Sequence, residues 1–237
     1  MVAVSLKKLG VSGALADPQL QLFSSQSAAP LAVNDNWGGG PLIAQFASVG
    51  AFPLDAASRD AALQQVLTSG GYTAQVSGIA GTSGVALVEL YDTDSATTAA
   101  PSRLTNVSAR AQIGTAGNLL IAGFSISGNV PRTVLVRGIG PALTAFGVTD
   151  ALADPQLELY QGPNLLYAND NWGSTASAAG VADLTGRFAL VGAFPLPSPA
   201  SRDAALLLTL PPGSYTAQIS GVNGTTGVAL VEVYEVP

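Results

Sequence analysis

Six sequence blocks occur twice in this chain, in the same order, and no other feature constrains its fold as strongly. Leu15-Ala-Asp-Pro-Gln-Leu-Gln-Leu-Phe returns as Leu152-Ala-Asp-Pro-Gln-Leu-Glu-Leu-Tyr, and Asn34-Asp-Asn-Trp-Gly returns at Asn169. Val49-Gly-Ala-Phe-Pro-Leu returns at Val191, and Ser58-Arg-Asp-Ala-Ala-Leu at Ser201. Tyr72-Thr-Ala-Gln-Val-Ser-Gly returns at Tyr215, and Gly84-Val-Ala-Leu-Val-Glu-Leu-Tyr at Gly227, each with one aliphatic exchange. The offset is 137 at Asp17/Asp154, 135 at Asp35/Asp170, 142 at Phe52/Phe194 and 143 from Arg59/Arg202 onward. Length changes therefore fall between blocks, where loops tolerate insertion and regular elements do not. The period is far too long for a solenoid unit. It predicts two tandem copies of one domain: residues 1–92, a small-residue linker at 93–102, and residues 103–237. Residues 103–140 have no counterpart upstream, while Gly10 already matches Gly147, so the first copy is expected to be incomplete at its N-terminus.

The blocks read as strands. With 27 Gly and 15 Pro among 237 residues, long helices are disfavoured. Tyr215, Ala217 and Ile219 alternate with Thr216, Gln218 and Ser220, the period of a half-buried strand. Leu157-Glu-Leu-Tyr and Val228-Ala-Leu-Val-Glu-Val-Tyr are short and rich in β-branched, aliphatic or aromatic residues, and Pro211-Pro-Gly-Ser and Gly224-Thr-Thr-Gly separate such runs as turns. Arg103–Ile113, Leu119–Ser127 and Arg132–Arg137 give three further strands, about nine in the second copy. One helix is expected at Ser174–Leu184, where Ala and Val cluster. The fold class predicted is all-β, as tandem antiparallel β-sandwich domains.

Composition removes whole classes of chemistry. There is no Cys and no His, which excludes disulfides, Cys- or His-ligated zinc and any Ser-His-Asp device. Nine Lys and Arg against 15 Asp and Glu give a net charge of −6, with the cations scattered, so no nucleic-acid partner is expected. No apolar run reaches the ~18 residues of a membrane helix, so no membrane insertion is expected. The opening Met1-Val-Ala-Val-Ser-Leu-Lys-Lys-Leu-Gly has its lysines after a short apolar stretch, the reverse of an export signal.

Asp154-Pro-Gln-Leu-Glu-Leu-Tyr, Ala168-Asn-Asp-Asn, Leu210-Pro-Pro-Gly-Ser-Tyr-Thr-Ala-Gln-Ile-Ser-Gly and the closing Val231-Glu-Val-Tyr together resemble the bacterial pre-peptidase C-terminal domain and its relatives. The resemblance covers about 90 residues of each copy. It implies a jelly-roll-like sandwich, an accessory module outside the cell or on its surface, and no catalytic residue. The partners it implies are other domains of a larger secreted protein or neighbouring copies. Arg132-Thr-Val-Leu-Val-Arg-Gly-Ile-Gly-Pro is also similar to repeats of large exported proteins of environmental bacteria.

Candidate ligand residues gather in the Asn-Asp-Asn-Trp blocks. Asn34, Asp35, Asn169 and Asp170 carry hard oxygens suited to calcium, and Asp17 and Asp154 could each add a carboxylate. The competing reading is a polar turn in which these side chains bond their own backbone. Trp37 and Trp172 beside amides and carboxylates suit a sugar-stacking face; the competing reading is a cap on the core. Arg59-Asp60 and Arg202-Asp203 read as rim ion pairs. Glu89 and Glu232, each inside an apolar strand, read as solvent-facing side chains rather than as catalytic acids. Gly138-Ile-Gly140-Pro lacks the second glycine set and following helix of a nucleotide loop.

Two functions are then in play. One is a non-catalytic extracellular or cell-surface repeat module with a structural, adhesive or anchoring role. The other is a carbohydrate-binding module that holds an enzyme or cell to polysaccharide. Exposure of the two tryptophans discriminates between them. No enzyme activity, no catalytic residue and no cofactor other than calcium is expected, because no nucleophile-base constellation is present.

Overall fold

A computed structural model of the chain describes residues 2–4, 6, 11–94, 104–115, 117–174 and 181–237. The chain is built of antiparallel sheets and separates into two units, Met1–Arg103 and Leu104–Pro237. The expected linker at 93–102 lies mostly outside the described residues.

In the second unit the alternation seen in the sequence decides which face each strand buries. The strands are β7 (Asn106–Ile113), β8 (Leu120–Ile126), β9 (Arg132–Ile139), β10 (Pro155–Gln161), β11 (Asn164–Asn169), β12 (Ala204–Leu210), β13 (Gly213–Gly221) and β14 (Gly227–Val236). They form two four-stranded antiparallel sheets, ordered β11-β10-β13-β8 and β12-β9-β14-β7. Side chains at every second position meet in one core between the sheets: Leu157 and Leu159, Ala217 and Ile219, Val134 and Val136, Ala229 and Val231. Gly138 belongs to this inner series; a Cβ there would lie 2.7 Å from Ile219 Cδ1, so a larger residue would require that side chain to shift. Eight strands are present among the described residues, where about nine were expected. The difference lies in the block from Val191, which runs as a loop because Pro195, Pro197 and Pro199 have no N–H for a ladder.

The β9 sheet buries its other face too. Leu135 and Ile139, Ala205, Tyr234 and Val236 pack beneath helix α2 (Val181–Leu190), which contributes Leu184 and Phe188. The helix thus lies later than the expected Ser174–Leu184, and residues 175–180 fall outside the described set. The signal that counts is the Leu184/Phe188 spacing of four, which puts both side chains on one helix face, and not the alanine content.

The first unit repeats this plan with fewer and shorter ladders. Its strands are β1 (Val2–Val4), β2 (Pro18–Ser24), β3 (Ala32–Asn34), β4 (Ala61–Ala62), β5 (Tyr72–Gly78) and β6 (Leu87–Glu89), in sheets ordered β4-β1-β6 and β3-β2-β5. A helix absent from the expectations, α1 (Ile43–Val49), stops at Gly50, whose left-handed φ of 70° only glycine adopts freely. Residues 2–4 correct the reading that all of 103–140 lacks a counterpart. Val2 pairs with Ala62 and Glu89 as Arg137 pairs with Ala205 and Glu232, so β1 holds the central place that β9 holds in the second unit. Three apolar residues, followed by Ser5-Leu6-Lys7-Lys8, carry too little pattern to be read as a strand. Strands corresponding to β7 and β8 are lacking in the first unit among the described residues.

Candidate functional site

The Asn-Asp-Asn-Trp blocks sit where the sheet with the outer strand β3 or β11 turns toward the helix. In the second unit, Asn169 is buried at the end of β11; its Oδ1 accepts the Ala205 N–H at 3.0 Å and its Nδ2 donates to the Asn171 carbonyl at 3.1 Å. Asn34 makes the same two bonds, with Ala62 and Asn36, at 3.0 Å each. These amides tie one strand to its neighbour across the turn, the competing use named above. Asp35 and Asp170 point into solvent.

Asp17 and Asp154 do not join these loops in the described structure. Asp154 Oδ2 accepts from Arg202 Nη1 at 2.7 Å, and Asp17 Oδ2 from Arg59 Nη1 at 2.5 Å. The other oxygen of each, Oδ1, is buried without a hydrogen-bond partner. Among the described residues no group of three or more Asp or Glu could hold a metal ion.

The same contacts correct the expected Arg59-Asp60 and Arg202-Asp203 pairs. Neighbours on extended backbone point to opposite sides, so Arg202 reaches out to Asp154 while Asp203 turns inward. Asp203 is fully buried. Its Oδ1 accepts the N–H groups of Gly140 and Ala142 at 2.8 and 3.2 Å, and its Oδ2 accepts the Ser201 hydroxyl. The Gly138-Ile-Gly140-Pro segment does lead into a short 3-10 helix, Pro141–Phe146, and the N–H groups at its start hold Asp203, an anion supplied by the chain itself.

Both tryptophans are core residues. Trp37 is 7% exposed and Trp172 4%. Their indole N–H groups donate to the Asp55 and Ser198 carbonyls at 2.8 and 3.0 Å. Their rings pack on Phe46 and Phe188, with centroids 5.5 and 5.6 Å apart. One edge of Trp172 also borders an apolar hollow of about 230 Å³ with Phe188, Ala193 and Leu196; the one hydroxyl there is that of Thr185. Sugar recognition needs several convergent polar groups around such a ring.

Among the described residues the most heavily buried ion pair joins Arg137 and Glu232. Arg137 on β9 stands directly opposite Glu232 on β14, and both are buried, which corrects the reading of Glu232 as solvent-facing. Arg137 donates to Glu232 Oε2 from Nε at 2.8 Å and from Nη2 at 2.5 Å, and from Nη1 to the Phe194 carbonyl at 2.6 Å. The guanidinium carbon lies 4.8, 4.4 and 6.0 Å from the ring centres of Phe188, Phe194 and Tyr234. Glu232 Oε1 accepts the Tyr234 hydroxyl at 2.8 Å, and burial followed by the carboxylate's charge pushes that phenol's pKa well up. Glu232 thus serves an ion pair within an aromatic enclosure; its carboxylate oxygens face protein donors rather than an open cleft. The available signal was a charge of each sign flanked by apolar residues, Arg137 in β9 and Glu232 in β14; only the strand register shows that they meet.

The first unit keeps Glu89, Tyr91 and Phe46 but places Val2 at the register position of Arg137. Tyr91 donates to Glu89 Oε1 at 3.0 Å, while Glu89 Oε2 is buried without a hydrogen-bond partner. Burial raises the Glu89 pKa, and the Tyr91 bond and then the chain's α-amino group pull it back. The Tyr91 phenol is pushed up to about 12 by burial and by Glu89. Among the described residues no helix is long and apolar enough to cross a membrane. No protein-family model matches the chain, and a comparison with curated proteins returns no match.

Proposed function

We propose that this chain is a non-catalytic repeat module of an extracellular or cell-surface protein, with a structural, adhesive or anchoring role. In this reading its units are tandem jelly-roll-like β-sandwiches, the first incomplete, of the kind represented by the pre-peptidase C-terminal domain. Its partners are other domains of a larger secreted protein or neighbouring copies. The observation that carries the reading is the burial of both tryptophans with their indole N–H groups bonded to backbone, which takes the features best suited to a ligand into the core. The charged groups with the most distinctive surroundings, Arg137, Asp203 and Glu232, likewise bond within the fold.

The test is retention of the intact chain on insoluble cellulose, chitin and xylan, alongside hydrolysis assays with peptide, ester and glycoside substrates. Neither retention nor turnover is expected. Retention that a soluble oligosaccharide competes away would replace this reading with the carbohydrate-binding one. Turnover lost on Glu232→Gln, in a variant with an unchanged circular dichroism spectrum, would make the chain an enzyme.

A further inference from the structure

We propose that the outer edges of β5 and β6 in the first unit form an acceptor slot for a two-stranded arch with the strand pattern of β7–β8. The second unit shows what fills the slot. There β8 pairs with β13 from Gly213↔Ile126 to Ile219↔Leu120, and β7 pairs with β14 from Gly227↔Ile113 to Tyr234↔Asn106. The arch delivers Ile113, Leu120 and Ile126 to the core and stacks Phe124 on Tyr215 at 5.5 Å.

The acceptor strands of the first unit have almost the same sequence. Tyr72-Thr-Ala-Gln-Val-Ser-Gly of β5 differs from its β13 counterpart by one methylene, and Val85-Ala-Leu-Val-Glu-Leu-Tyr matches Val228-Ala-Leu-Val-Glu-Val-Tyr around β6. Among the described residues β5 and β6 are both edge strands, on the side the arch closes in the second unit. Burial records the difference. Ala217, Ile219 and Val231 are fully buried, whereas Ala74 and Val76 are half-buried and Val88 is exposed. Tyr215 is buried and Tyr72 is half-exposed.

The hydrogen-bond direction agrees. Ser25 N–H donates to the Gly71 carbonyl and Ile79 N–H to the Asp17 carbonyl, both at 2.9 Å, on the β2 side of β5. By the alternation of an antiparallel ladder, the N–H and C=O groups of Thr73, Gln75 and Ser77 also face β2, and those of Tyr72, Ala74 and Val76 face the free edge. The corresponding Tyr215, Ala217 and Ile219 are the residues paired with Phe124, Ala122 and Leu120. Recognition would be β-strand addition, with backbone bonds for affinity and alternate apolar side chains for specificity.

The inference deepens the reading of the chain as a contact-making module and is tested separately from it. A labelled synthetic peptide spanning 104–128 is titrated into the intact chain and followed by fluorescence anisotropy and hydrogen exchange. Saturable binding of one peptide per chain is expected, with new protection of the Tyr72, Ala74 and Val76 amides. A peptide carrying Ala122→Pro, which removes a ladder N–H from the donor and leaves the protein untouched, should bind about ten-fold more weakly or worse. Lack of saturable binding, equal binding of the proline peptide, or protection confined to β13 and β14 would each overturn the acceptor slot. Any of these would leave the non-catalytic reading to its own assays.

Discussion

At the scale of the residue, the two units set the same carboxylate in opposite circumstances. Glu232 is buried with a guanidinium against it, and Glu89 holds one buried oxygen without a partner. Removing one member of a buried pair leaves an uncompensated charge, which costs more than the intact pair contributes. Arg137→Met should therefore destabilise the second unit by about 3–5 kcal/mol in urea denaturation. Adding Glu232→Leu to that variant should recover most of the loss, since an apolar pair of similar volume removes the stranded charge. If the double variant is as unstable as the single one, the lost aromatic contacts and the orphaned Tyr234 hydroxyl and Phe194 carbonyl outweigh the stranded charge. For Glu89 the effect is a pH dependence. A carboxyl whose pKa is higher folded than unfolded binds more protons in the folded state. Its stabilising contribution is fully present below the unfolded pKa and is lost as pH rises through the folded pKa. The contribution of Glu89 to the first unit should thus be smaller at pH 7 than below the ordinary glutamate pKa of about 4.3, and it should lower the melting temperature as pH rises. Glu89→Gln should flatten that slope and raise the melting temperature at neutral pH; an unchanged slope would assign the titration elsewhere.

At the scale of the element, two turns with nearly the same backbone carry different strain. The connection from β5 to β6 bends at Ala80, φ 53°, and the one from β13 to β14 at Asn223, φ 54°. Asparagine tolerates the left-handed region, and alanine is held there against a cost of roughly 1–2 kcal/mol. Ala80→Gly should therefore stabilise the first unit by about 1 kcal/mol, read as a shift of its urea midpoint without a change in slope. The bend itself was legible as Gly-rich punctuation, as were β2, β5, β10 and β13, whose two-residue alternation is a local property. The edge position of β5, the Arg137–Glu232 pair and the inward turn of Asp203 were not legible. Each depends on which segments become neighbours, and that is fixed by packing across 63 residues of chain for Asp203 and 95 for the Arg137–Glu232 pair. Helix α2 runs six residues past the expected end at Leu184 because alanine content speaks to propensity, whereas the buried pair Leu184 and Phe188 fixes where the helix docks. The amides of Asn34 and Asn169 were visible as polar-turn residues; that their Oδ1 atoms hold Ala62 and Ala205 across the turn was not.

At the scale of the whole molecule, near-identical sequence blocks build ladders of unequal length among the described residues. In the second unit β14 is ten residues long and pairs on both sides; in the first, β6 is three residues long and pairs only with β1 among the described residues. Strand β12 spans seven residues and its counterpart β4 two. Half-buried inner faces contribute less of the hydrophobic stabilisation that scales with apolar area removed from water, and Glu89 adds a desolvated oxygen. The first unit should accordingly unfold at a lower denaturant concentration than the second. The chain carries its own reporters, because each unit holds one buried tryptophan. In a Trp172→Phe background the emission of Trp37 follows the first unit, and in a Trp37→Phe background that of Trp172 follows the second. The Trp37 midpoint should come first, with the smaller slope expected of a smaller change in accessible surface. Limited proteolysis under native conditions should then cut within 1–94 or the 93–102 segment and leave a fragment close to 104–237. Coincident midpoints from the two tryptophans, with equal resistance to protease, would mean that the short ladders of β1, β4 and β6 hold as firmly as the long ones, and the argument from ladder length would fail.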